Sequence, residues 1–167
     1  MKATMTRADL CTLFGWTVHT FKGLERHQQL PLDTNDETTG WRRFSAFDAV
    51  KIEISQHLED SVHLSRVAAA QIVNAASAEL RERWKDIVET GEDLNAGRAT
   101  DEFMVGRANL AFPNQPAPLC YRRSEEGVAT AHITAPIVSS VTANASRAVS
   151  VVMTKAIRAG IDLDWED

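Results

Sequence analysis

Residues 6–26, TRADLCTLFGWTVHTFKGLER, hold two short helical patterns separated by one glycine. Thr6 stands where a helix N-cap belongs, and Leu10, Leu13 and Phe14 fall on one side of the helix it would open over Arg7 to Phe14. Gly15 ends that helix, because glycine enters the left-handed conformation of a helix C-terminus without a Cβ penalty. Thr17 restarts a helix at once. Val18, Phe21 and Leu24, three residues apart, form its buried stripe and leave His19, Thr20, Lys22, Gly23, Arg26 and His27 outside it. Two short helices joined by a tight glycine turn predict a helix-turn-helix.

Working outward, Leu30-Pro31-Leu32 stops the second helix, and residues 33–40, DTNDETTG, are polar turn formers. Trp41-Arg42-Arg43-Phe44 is β-competent, so the stretch predicts a two-stranded wing. Ser45, followed three residues later by Asp48, predicts a capping box opening a helix whose Phe47, Val50, Ile54 and Leu58 share one face. A longer helix is expected from His63 to Glu89, broken near Ser77 and ended by Thr90-Gly91, with 92–100 as a loop. Phe103–Phe112 reads as a strand, and the prolines of 113–118 argue against regular structure there. Leu119–Arg123 and Val128–Thr134 read as strands paired around the turn 124–127. Pro136 suits the first turn of a last helix, whose Val138, Val141, Ala145, Ala148 and Val152 alternate spacings of three and four; Gly160 ends it, leaving an acidic tail over 162–167. The expected fold is α+β and helix-dominated. It divides into a module over 1–60, a helical linker or dimerisation segment over 61–91, and a small antiparallel sheet with a C-terminal helix over 92–167.

The order Gly15-Trp16-Thr17-Val18-His19-Thr20-Phe21-Lys22, Glu25-Arg26, Leu30-Pro31, Gly40-Trp41-Arg42-Arg43-Phe44-Ser45 and Asp48-Ala49-Val50 resembles the MerR-type winged helix-turn-helix over about residues 5–58. The resemblance implies a recognition helix in the DNA major groove and a wing on the flanking backbone. His19 stands where members of the family often carry arginine, Thr20 matches a common threonine, Lys22 replaces another frequent arginine, and Arg42 and Arg43 match the wing pair. Gly23-Leu24 replaces the tyrosine pair usual in MerR itself, which points away from the promoter-untwisting activators. Excisionases, phage repressors and small terminase subunits use the same module.

The residue chemistry leads to the same surface independently. Lys22, Arg26, Arg42 and Arg43 can neutralise phosphates, while Thr17 and His19, near the helix start, can meet base edges. Two alternatives stay open: Arg42 or Arg43 could instead bridge Glu25 or Asp48, and Trp41 could be an apolar anchor of the wing. Asp9, Glu25 and Asp48 converge on no nucleophile, so no enzyme chemistry has a visible carrier.

Of 18 Lys+Arg and 23 Asp+Glu, giving −5 overall, residues 1–58 hold seven of each, so the acidity lies in the remainder. The chain lacks a glycine-rich nucleotide loop, and Cys11 and Cys120 lie too far apart for a zinc or disulfide framework; no cofactor, metal or small-molecule effector is implied. With no apolar run of membrane-spanning length and no signal peptide, the expected location is the cytoplasm. The expected function is a sequence-specific transcriptional regulator, a repressor by preference, binding double-stranded DNA as a homodimer through residues 63–89 or 138–156. The alternatives are a phage or mobile-element DNA-handling protein (terminase small subunit or excisionase type) and an antiactivator-type interaction module.

Overall fold

A computed structural model describes residues 4–32, 42–98, 101–110, 116–124, 127–128 and 137–166. The elements are α1 (Arg7–Phe14), α2 (Val18–Arg26), α3 (Ala46–Val62), α4 (Arg66–Ala75), α5 (Ser77–Glu82), α6 (Trp84–Asn95), β1 (Asp101–Leu110), β2 (Pro116–Ser124), β3 (Gly127–Val128), β4 (Ile137–Asn144) and α7 (Ala145–Ala159). The fold is α+β and helix-dominated, with an antiparallel sheet in the order β3-β2-β1-β4.

Local chemistry sets the N-terminal half. The Thr6 hydroxyl accepts from the Asp9 N–H at 3.2 Å, and the Asp9 carboxylate accepts from the Thr6 N–H at 2.8 Å, a reciprocal cap for α1. Gly15 (φ +66°) closes it, with the Trp16 N–H donating to the Cys11 carbonyl at 2.8 Å. Ser45 and Asp48 repeat the capping box on α3. An antiparallel bridge between Met5 and Phe44 fastens the chain before α1 to the chain before α3.

α3 is the central helix: Phe47, Val50, Ile54 and Leu58 are buried, as its spacing predicts, and so are Lys51, Ile52, Glu53 and Ser55 on its other sides. α4, β4 and α7 pack against it, and one continuous core runs from Met5 to Leu163. Lys155 on α7 donates to the Glu53 carboxylate at 2.6 Å and lies 4.8 Å from the centre of the Phe14 ring, so α7 is tied to both α3 and α1. Burial pushes the pKa of Glu53 upward, but hydrogen bonds and positive charge from His57 and Lys155 more than offset it, and the net shift is downward.

Several expectations need correcting. The helix expected over 63–89 begins at Arg66 and breaks at Ala76, beside the expected Ser77, but it breaks a second time at Arg83, giving three segments. Thr90-Gly91 ends nothing: α6 runs on to Asn95, and Gly91 is buried where a Cβ would lie 2.5 Å from Cγ1 of Val149. Residues 137–144 are strand rather than helix, because Ile137, Val138, Val141 and Thr142 are β-branched, and all of the stretch but Val138 pairs with β1, whose register shifts between Asn109 and Leu110. Asn144 then caps α7, its Oδ1 accepting from the Arg147 N–H at 2.8 Å. Pro116 and Pro118 belong to β2, at alternate positions opposite Asn109 and Arg107, where the missing N–H faces away from β1. The strand expected to begin at Phe103 starts at Asp101. Residues 33–41, the greater part of the expected wing, and 129–136 lie outside the described residues.

Much of the two segments expected to dimerise packs inside the subunit, while Leu64, Val67, Ala68 and Val141 are half-buried. Ala69, Ile72 and Val73 of α4, and Ala145, Ala148, Val149, Val152 and Ala156 of α7, are all core residues.

Candidate nucleic-acid interface

The seat of α2 is aromatic. Phe21 is fully buried, with Phe44 edge-on at 5.6 Å, and Trp16 stacks on Phe14 at 5.0 Å. Leu24 completes the inward side, whereas Val18 is 47% exposed, because it is the first residue of α2 and its turn projects beyond the core.

The opposite side carries the residues assigned to DNA. His19, Thr20, Lys22 and Arg26 are exposed, and so is Thr17 at the helix N-cap. Thr17 accepts from the Thr20 N–H at 3.0 Å, and the two hydroxyls lie 2.8 Å apart. Their first task is therefore to hold the helix start. Gly23 lies four residues after His19 and three before Arg26, in the middle of this face, and a Cβ there would meet nothing within 4 Å among the described residues.

The wing arginines separate in role. Arg43 is exposed. Arg42 is half-buried, donates to Glu25 at 3.2 Å and lies 5.5 Å from the centre of the Phe44 ring. Arg7 approaches the same Glu25 at 3.8 Å and lies over Phe21. Of the two pairings left open for the arginines, Arg42 takes Glu25, while Asp48 is occupied in its capping box. One carboxylate thus links α1, α2 and the segment that leads into α3. Among the described residues no carboxylate pairs with Lys22, Arg26 or Arg43, which form the cationic part of the face.

Behind this arrangement a cleft of about 280 Å³ separates the end of α2 from α4, lined by Glu25, Gln28, Arg42, Gln71 and Asn74 among others. Gln28 holds a left-handed conformation (φ +53°) as the chain leaves α2. Neither cysteine is poised for reaction. Burial raises the pKa of Cys11 against the opposing charge of Arg7, and burial lifts that of Cys120 to about 11. Among the described residues no cluster of His, Cys, Asp or Glu is arranged to hold a metal, and no helix is long and apolar enough to cross a membrane.

No protein-family model, curated protein or solved structure matches the chain. The residues of the face itself therefore carry the functional reading.

The organising part of Glu25 was visible in the sequence only as one of two possible partners for the arginines. The signal was its place on α2, six residues before the Pro31 that stops that helix.

Proposed function

We propose that this protein is a sequence-specific DNA-binding transcriptional regulator, acting as a repressor and as a homodimer, with α2 in the major groove and Arg43 on the flanking backbone. One observation carries the reading: a short helix seated by Phe21 and Leu24 presents His19, Lys22 and Arg26 outward around a glycine, with no carboxylate paired to the cations among the described residues. A surface with placed cations and hydrogen-bonding side chains, but no nucleophile, suits phosphate and base-edge contacts. Repression requires only occupancy of the site. Since most apolar residues of α4 and α7 are core, a second subunit joining through 63–89 or 138–156 would use their half-buried and exposed positions.

The test is binding to fragments selected from the source genome, measured at several salt concentrations. Lys22→Ala and Arg43→Ala should weaken binding to all sequences and flatten the dependence of log K on log salt by about 0.9 per lost contact. His19→Ala should instead relax sequence preference. Unchanged affinity and slope in all three variants would remove the surface from consideration.

A further inference from the structure

The C-terminal segment is not a solvated acidic tail. After Gly160 the chain turns back along α6, and residues 161–166 alternate: Leu163 is buried and Trp165 half-buried, while Asp162 and Glu166 are exposed. Trp165 stacks on Trp84 at 6.2 Å and 18°, and its carbonyl accepts from the Trp84 indole N–H at 3.1 Å. Between this segment and the helices α5 and α6 lies an open groove of about 920 Å³.

The groove has two chemistries. Its floor is apolar: Trp84, Val88 and Leu163 are each at least nine-tenths buried, and Trp165 leaves part of its indole accessible. Its rim is acidic, with Glu82, Glu89 and Glu92 on the helix side and Asp164 and Glu166 on the tail side. Two cations share the lining. Arg81 is turned onto the Phe47 ring, 4.2 Å from its centre, and Lys85 is spread between its own helix and solvent, 3.9 Å from Glu89. Five carboxylates against two cations leave three net negative charges around an aromatic floor. Helix polarity deepens the imbalance. Glu92 lies in the last turn of α6, where the backbone end is itself negative, and no basic residue occupies that turn. These charges weaken the helix and improve any complex that brings cations to it.

We propose that this groove docks a basic peptide segment of a partner protein, anchored by an apolar side chain on Trp84, Val88 and Leu163 and by arginine or lysine against the rim. Arginine suits it best, because a guanidinium can stack on the exposed part of Trp165 while pairing with Glu89 or Glu166. The site shares no residue with the α2 face, so it stands or falls apart from the DNA-binding reading.

A random peptide library displayed on phage, selected against the immobilised full-length protein, tests the proposal directly. Enriched peptides should combine Arg or Lys with Leu, Phe or Trp, and a synthetic copy should shift the indole NMR signals of Trp84 and Trp165 saturably. Glu89→Lys combined with Glu92→Lys should weaken that peptide by about tenfold or more. Trp165→Ala should weaken it comparably, and wild-type binding should fall with added salt. The charge-reversal pair lies on an exposed face, so thermal unfolding and circular dichroism serve as controls for intact folding. Failure to enrich any peptide, enrichment of peptides lacking cations, or undiminished binding to the charge-reversed variant would overturn the proposal.

Discussion

Gly91→Ala isolates what holds α6 against α7. In an exposed helix the change would stabilise by about 1 kcal/mol, since alanine is the better helix former. Here the new methyl carbon would stand 2.5 Å from Cγ1 and 2.7 Å from Cβ of Val149, and 3.0 Å from the Ser146 carbonyl oxygen. Carbon atoms pack at about 3.5–4.0 Å, so roughly 1 Å must be found. Val149 cannot supply it by rotating. It is fully buried and β-branched on a helix, and swinging Cγ1 away leaves Cβ where it was. The two helices must separate instead, along an interface that includes Val88, Ala145 and Val152. Forcing a methyl group into a packed core costs about 1–3 kcal/mol, occasionally more. Val149 and the helix backbone leave no easy relief, so the cost falls at the upper end of that range; set against the propensity gain, the net is a loss of about 2 kcal/mol, or a fall in melting temperature of about 4–8 °C for a chain of this size. Urea unfolding followed by tryptophan fluorescence is the assay, with Trp84 on α6 as the reporter. A variant as stable as the parent, or more so, would show that α6 and α7 do not approach at Gly91.

Gly23→Ala should do the opposite for folding. With nothing near the added methyl, stability should rise by about 0.5–1 kcal/mol, while DNA affinity falls because the methyl lies mid-face; a less stable variant would contradict the open surface. Ser146→Ala strips the buried Phe103 N–H of its acceptor at 3.0 Å and should cost about 1–3 kcal/mol in urea unfolding. Glu53→Gln weakens the part-buried pair with Lys155 and should cost about 1.5–3 kcal/mol. In the parent, the native pKa of Glu53 lies below its unfolded value. Its contribution should therefore be complete above the ordinary glutamate pKa of about 4.3 and fade as pH falls through the lower native value, an acid-side loss that the Gln variant should lack. Glu25→Gln removes the carboxylate faced by Arg7 and Arg42 and should steepen the salt dependence of DNA binding, with at most about 1 kcal/mol of stability lost; an unchanged slope would mean that neither arginine can reach a phosphate.

What could be read from the sequence follows the range of the interactions. Thr6, Gly15, Thr17 and Ser45 act within three or four residues of themselves, and each stands where its local pattern placed it. Gly91 could not be read that way. A glycine near the end of an apolar stripe looks like a stop, and the Val149 that requires it is 58 positions away. Residues 138–152 misled for another reason: spacings of three and four fit a helix seam, but they ran across a strand and a helix that meet at Asn144. The β-branched residues before Asn144 were the available signal. At the interface, composition picked out the cations but not their division of labour. Arg42 and Arg43 are neighbours of one type, and only the position of Glu25, seventeen residues from Arg42, tells them apart.

That division changes what the neutral charge of residues 1–58 means. Seven cations and seven carboxylates could cancel diffusely, leaving a surface with little pull on DNA. Among the described residues they do not cancel that way. Glu25 draws in Arg7 and Arg42, Glu53 takes Lys155 from the distant α7, and Asp9 and Asp48 are absorbed in helix caps. Carboxylates are thereby committed to structure, and Lys22, Arg26 and Arg43 are left outward. Three cations per subunit are few, so counterion release alone supports only weak, salt-sensitive attachment. On the proposed reading, affinity must then come from base contacts along α2 and from joining two such faces. On the same reading, the acidic groove rim repels a polyanion, and it shares no residue with the α2 face.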